Sequence, residues 1–161
     1  RVKVVPKVAE VAGKSSVCRE VAESWKLVPN PEEEGLYVIC NTNTSDNMAT
    51  ADELNVAQNN YRVALGLSVL SINGDLCRVA VRRAKEIASN FSHDGFEPAI
   101  KDSGIARNSF GENIASGPMS AVKFIEWSWD KSPGHRENMR RDWTDGCAGV
   151  YDRFAVFLFA K

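Results

Sequence analysis

Phe154-Ala155-Val156-Phe157-Leu158-Phe159 is an unbroken apolar run near the carboxyl end of the sequence, and its reading decides the fold. A strand with one wet face alternates apolar and polar side chains. This run has no polar face, so it needs cover on both sides. It reads as the central strand of a small sheet with helices packed against each face. Cys147 to Tyr151 reads as its antiparallel neighbour, joined through Asp152-Arg153.

The helices that supply the cover lie upstream. Asp52 is placed to cap a helix running to about Leu65, with Leu54, Ala57, Tyr61, Ala64 and Leu65 on one face and Gly66 ending it. Asn73-Gly74-Asp75 reads as a turn into a second helix that reaches about Ser89. Leu76, Val79, Ala80, Arg83, Ala84 and Ile87 share one side of it, and the repeated alanines imply close packing on something flat. Phe91 to Phe110 is a long, mostly polar connection with one short helical turn near Pro98 to Lys101. Loops of that length inside a compact domain are usually functional. A third helix spans about Ser120 to Trp129, with Val122, Ile125 and Trp129 inward.

The first 50 residues have a different texture. Val2 to Val5 suits a short strand, Ser15 to Lys26 is helix-like, Pro29-Asn30-Pro31 breaks it, and Leu36 to Cys40 reads as a strand. Asn41 to Thr50 is polar and reads as a linker. We therefore expect a small amino-terminal extension of unassigned role over 1–50 and the main domain over 51–161.

Composition excludes several classes. A 43% hydrophobic content supports a real core, and 20 basic against 21 acidic residues leave a net charge of −1. Neither nucleic acid nor an anionic membrane surface is an expected partner of so balanced a chain. No segment approaches the roughly 20 apolar residues of a membrane span. Arg1-Val2-Lys3-Val4-Val5-Pro6 has too short an apolar run for a signal peptide. The expectation is a chain that begins after a removed leader or partway through a longer protein, which leaves secretion open.

The four cysteines, Cys18, Cys40, Cys77 and Cys147, allow three complete pairings, and none forms a Cys-x-x-Cys pair. Two disulfides in an oxidising compartment is the preferred reading, and four buried thiols in a reducing one is the alternative. The domain division favours Cys18–Cys40 and Cys77–Cys147.

Chemistry centres on Trp129-Asp130-Lys131-Ser132-Pro133-Gly134-His135-Arg136-Glu137-Asn138-Met139. Ser132 suits an N-cap and Pro133 the first helical position. His135 then lies in the first turn, where the helix dipole disfavours the imidazolium and leaves a neutral ring for a metal or a proton donor. The other histidine, His93, sits in Phe91-Ser92-His93-Asp94-Gly95, and Gly111-Glu112-Asn113-Ile114-Ala115 lies between the two. Two imidazoles make a minimal zinc or copper site, which waters or carboxylates complete. Glu112 suits either a second-shell orienter or an acceptor for a metal-bound water. Ordinary surface or core histidines are the competing reading. Ser92 beside His93 reads as a cap or loop hydrogen-bonder rather than a nucleophile. Trp127, Trp129 and Trp143 read as core or cleft wall.

Several pieces come in a telling order: Leu54-Asn55, Tyr61-Arg62, Gly66-Leu67, Leu76 through Ala80 and Ala84, Ser92-His93, Gly111-Glu112-Asn113-Ile114, and Trp129 with Ser132 through Asn138. Over about residues 51 to 160 this set resembles the CAP superfamily, that is, the cysteine-rich secretory proteins, antigen five and the plant pathogenesis-related class 1 proteins. The resemblance implies an α+β, three-layer α-β-α sandwich with a small antiparallel sheet and a cleft lined by two histidines and two acidic residues. His93, Glu112 and His135 match three of the four, with Ser132 and Asn113 supporting the cleft. The second acid would fall at Ser132, so the tetrad is incomplete, as in the shorter bacterial-type members. Asp130 and Glu126 are the nearby acids, and helical spacing turns Asp130 away from the site.

The resemblance implies a secreted or surface-exposed binding module, with a divalent metal (zinc first) at His93 and His135. Its partner is expected to be a small apolar ligand such as a lipid or sterol, or a protein. A metal-assisted hydrolase with Glu112 as general base is one alternative, and an adhesion module with a vestigial cleft is another. An enzyme is the less favoured reading.

Overall fold

The computed structural model describes residues 47–161, together with three backbone strands of the preceding segment: β1 (Lys7–Ala9), β2 (Lys26–Pro29) and β3 (Leu36–Cys40). The chain divides into two units, Arg1–Ser45 and Asp46–Lys161. In the first, β3 pairs in parallel with β1 and antiparallel with β2. The strand expected from Leu36 to Cys40 is β3. The strand expected at Val2 to Val5, the helix over Ser15 to Lys26 apart from Lys26 itself, and the Cys18–Cys40 bridge lie outside the described residues. Lys26 opens β2.

The second unit is built on a four-stranded sheet in the order β4-β6-β7-β5, formed by β4 (Ser71–Ile72), β5 (Phe110–Ser116), β6 (Asp145–Tyr151) and β7 (Phe154–Ala160). β7 is the apolar run, and it lies between β6 and β5, antiparallel to both. β4 adds a parallel pairing to β6, so the sheet is mixed rather than purely antiparallel. Alternation along β7 divides the core in two. Ala155, Phe157 and Phe159 belong to a cluster with Leu54, Phe124, Trp129 and Trp143, whereas Val156, Leu158 and Ala160 pack with Leu76, Ala80, Ala84 and Ile87. Each of these large β7 side chains is at most 1% exposed, and burial of one contributes roughly 1.5–3 kcal/mol. The apolar run has no polar side because each side has its own helical layer.

Helix α2 (Gly74–Ser89) supplies one layer, with Asn73 capping the Asp75 and Leu76 amides. It lies so close to β6 that a Cβ on Gly149 would come 2.1 Å from the Ala80 carbonyl carbon. The alanine-rich face is what permits that approach. Disulfide Cys77–Cys147 ties the same two elements, α2 and β6. Helix α3 (Phe96–Ser103) is longer than the single turn expected and ends at Gly104, whose φ is 68°.

The opposite layer holds α1 (Ala51–Ala64), the π-helical segment Lys123–Trp129 and α4 (Pro133–Arg140). Helix α1 is capped by a Thr50–Glu53 capping box rather than by Asp52. Its buried face is also rotated from the expected one and carries Leu54, Gln58 and Arg62, while Leu65 is 46% exposed. Arg62 is tolerated inside because its guanidinium donates to the carbonyls of Ser68, Met139 and Arg141. Asn55 accepts from the Ala148 amide on β6 at 2.8 Å. The expected third helix is π-type along most of its length, and the Asp130 amide reaches back to the Ile125 carbonyl. Trp129 and Trp143 are core residues, 0% and 4% exposed.

Candidate functional site

Strand β5 positions the site. Its sequence, Phe-Gly-Glu-Asn-Ile-Ala-Ser, carries no alternation that marks a strand, yet it pairs with β7 along its whole length and is buried from Gly111 to Ala115. It is an edge strand, and the two helical layers meet around it. The period of two sends Glu112 toward α2 and Asn113 toward α4. Two residues adjacent in sequence thus reach opposite layers, and the cleft forms where those layers converge.

His93 comes from the connection between α2 and α3, and His135 from the first turn of α4. Their ring centroids lie 6.2 Å apart, with the planes tilted by 54°. His93 Nδ1 lies 2.8 Å from Glu112 Oε1. A carboxylate can only accept, so Nδ1 carries the proton, and in the neutral ring Nε2 then keeps the lone pair. Asn113 Nδ2 donates to the His135 carbonyl at 3.0 Å, which fixes the start of α4 against β5. Asn138 donates to the Glu112 carbonyl and to Asn113 Oδ1, and Trp143 Nε1 donates to the Asn138 carbonyl at 2.7 Å. The free edge of β5 is therefore occupied by side chains of α4 and its neighbourhood.

His135 has a lowered pKa, as its place on α4 leads one to expect, but the leading cause differs. Burial disfavours the imidazolium first, and the neighbouring His93 adds to it. Ser132 sits at the N-cap with its carbonyl accepting from the Arg136 amide, but its hydroxyl makes no capping bond. Asp130 points away as helical spacing predicts, accepting from Tyr61 and pairing with Arg140 at 2.9 Å. Among the described residues, no group of three or more His, Cys, Asp and Glu side chains is arranged to hold an ion.

Sequence reasoning did not recognise Arg83 as a site residue. Only 1% exposed, it donates from Nε to Glu112 Oε2 at 2.7 Å and from Nη2 to Glu112 Oε1 at 3.2 Å. Nη2 also donates to the Ser92 carbonyl at 2.8 Å, and Nη1 to Glu86 Oε2 at 2.6 Å. Burial alone would lower the Arg83 pKa, but the hydrogen bonds to Glu112 and Glu86 outweigh it and the net shift is upward. The available signal was an arginine on the apolar face of α2. In the folded chain Gly95 leaves room for that guanidinium, since a Cβ there would fall 2.1 Å from Arg83 Nη1.

An α-β-α domain whose sheet edge gathers two histidines about a buried glutamate is an SCP-like domain. Residues 56–148 match the model of the cysteine-rich secretory protein (CAP) family, and the chain belongs to that family. No curated protein sequence matches it. An extracellular protein containing an SCP domain from Bacillus anthracis is similar in structure, at 26% identity and a TM-score of 0.65 over 69% of this chain. A cysteine-rich secretory protein from Staphylococcus aureus shares the fold at 22% identity and a TM-score of 0.62 over 68%. The present chain spans only 40% and 38% of those two proteins' lengths. An outer surface protein from Borrelia burgdorferi, 25% identical with a TM-score of 0.59, is matched over 67% of this chain and 89% of its own.

Proposed function

We propose that this domain is a secreted or surface-exposed binding module whose cleft takes a divalent cation, zinc foremost, between His93 and His135. The observation that carries the reading is the neighbouring pair of imidazoles, one with its tautomer set by a buried carboxylate. Imidazoles bound to one ion through nitrogens about 2.1 Å from it have ring centroids about 5–6 Å apart, so the observed 6.2 Å needs only a small closing movement. Glu112 then orients a ligand rather than serving as one. A cation held by two neutral imidazoles keeps open positions and supplies a Lewis-acidic anchor for an oxygen-bearing ligand. The disulfide, and the similarity to an extracellular Bacillus protein and an outer surface Borrelia protein, support an extracellular setting.

The hydrolase alternative draws no support from the geometry. Both oxygens of Glu112 accept from Arg83, one also accepts from His93, and the side chain is 1% exposed. A general base needs a lone pair within reach of a water. An apolar partner finds modest support in Phe91, 53% exposed and two residues before His93.

Calorimetric titration of zinc into the wild type, His93→Ala and His135→Ala tests the proposal. Saturable binding that is lost in both variants is the expected result. Equal binding by all three proteins, or none by the wild type, overturns it.

A further inference from the structure

The contacts of Arg83 point to a role beyond balancing a buried charge. One guanidinium grips the acceptor of a hydrogen bond and the backbone next to its donor. Nε and Nη2 hold the two Glu112 oxygens, the acceptor side, while Nη2 also holds the carbonyl of Ser92, the residue before the donor His93. Neither the Glu112 carboxylate nor the backbone just before His93 can move without breaking a bond to Arg83. Glu86 takes the remaining Nη1, so the guanidinium is itself clamped from its own helix. His93 has a 53% exposed side chain and would otherwise sample several rotamers and both tautomers.

We propose that Arg83 is the positioning residue of the cleft, holding His93 in the Nδ1-protonated tautomer with Nε2 presented to a cation before any cation arrives. The consequence for zinc rests on the binding role proposed above, whereas the consequence for the His93 ring does not. Gly95 belongs to the same device, because any side chain there occupies the space of Nη1 and of Glu86 Oε2, 2.1 and 2.7 Å from the added carbon. Gly95 has ordinary right-handed backbone angles (φ −79°, ψ −7°), so alanine fits the backbone and displaces only the ends of the Arg83 and Glu86 side chains.

The test uses nitrogen-15 NMR of the histidine rings in metal-free protein at pH 7.5, followed by zinc titration, on the wild type, Arg83→Lys and Gly95→Ala. Lysine keeps the charge but cannot grip both oxygens at once. The wild type is expected to show His93 as a single Nδ1-protonated tautomer. Both variants are expected to show an averaged tautomer signal and a 10- to 100-fold weaker zinc affinity, the range seen when an orienting partner is lost. Should Arg83→Lys fail to fold, Gly95→Ala still decides, since it removes no charged group from the chain. Unaltered His93 signals in folded variants sink the proposal. Altered ring signals with no zinc binding even by the wild type would sink the metal reading alone and leave the positioning role standing.

Discussion

The domain contains the same trio of chemical parts twice, an arginine, a carboxylate and a third polar group, in two different settings. At the cleft, Arg83 and Glu112 have side chains 2% and 1% exposed, and His93 accompanies them. On the other helical layer, Arg140 and Asp130 are 44% and 28% exposed, and Tyr61 completes the set. Both arginine–carboxylate contacts are short, 2.7 and 2.9 Å. The difference is water. A solvated pair is screened and exchanges readily with hydration, so it ties helices together loosely. A dry pair is expensive to break because either partner left alone is a buried charge, and that cost makes it a fixed reference for the group beside it.

The largest effect that separates the two trios is on stability. Arg83→Met removes a guanidinium from a site shielded from solvent and leaves Glu112 uncompensated, so unfolding in urea should show a loss of about 3–5 kcal/mol. Arg83→Met combined with Glu112→Leu should recover most of it, because no orphaned charge remains. A loss below about 1 kcal/mol in the single variant would place the cleft pair in the same class as the surface pair and remove the contrast.

The middle effect concerns the surface trio. Asp130→Asn weakens the contact with Arg140 while keeping the size of the side chain, and the expected loss is about 0.2–1 kcal/mol, as for exposed pairs. Zinc affinity measured on the same variant should not change, since Asp130 points toward Tyr61 and Arg140 rather than His135. A drop in affinity would mean that Asp130 serves the cleft after all.

How much of this was legible follows the same division between wet and dry. The central strand was readable because six apolar residues in succession admit no other placement. The inward face of α2 was readable from its apolar spacing, and it is the buried face observed. Strand β5 was not, since Gly111, Glu112 and Asn113 have poor strand propensity and are held by pairing to β7 and by side chains from both layers. The buried face of α1 was misjudged because Gln58 and Arg62 look like surface residues. The carbonyls of Met139 and Arg141, some 80 positions away, join that of Ser68 to make Arg62 an interior one. The motifs named His93, Glu112 and His135, but the arginine that holds Glu112 and the carbonyl before His93 has no local signature beyond its place on an apolar stripe.

The smallest effect is silent at neutral pH and appears only in alkali. Burial first, and the hydrogen bond to Asp130 second, push the Tyr61 pKa from 10.0 up to about 12. Between those two values the unfolded chain has released the phenolic proton and the folded chain has not. Folding there requires proton uptake, so stability falls as pH rises from about 10 to 12 and the contribution is constant below 10. Urea midpoints of the wild type and Tyr61→Phe at pH 9 and pH 11.5 isolate it, because lysines titrate alike in both proteins. The wild type should lose more stability between the two pH values than the variant does. Identical losses would show that the Tyr61 hydroxyl is no better shielded than an exposed phenol, and the surface trio would then lack even the partial burial that raises the Tyr61 pKa.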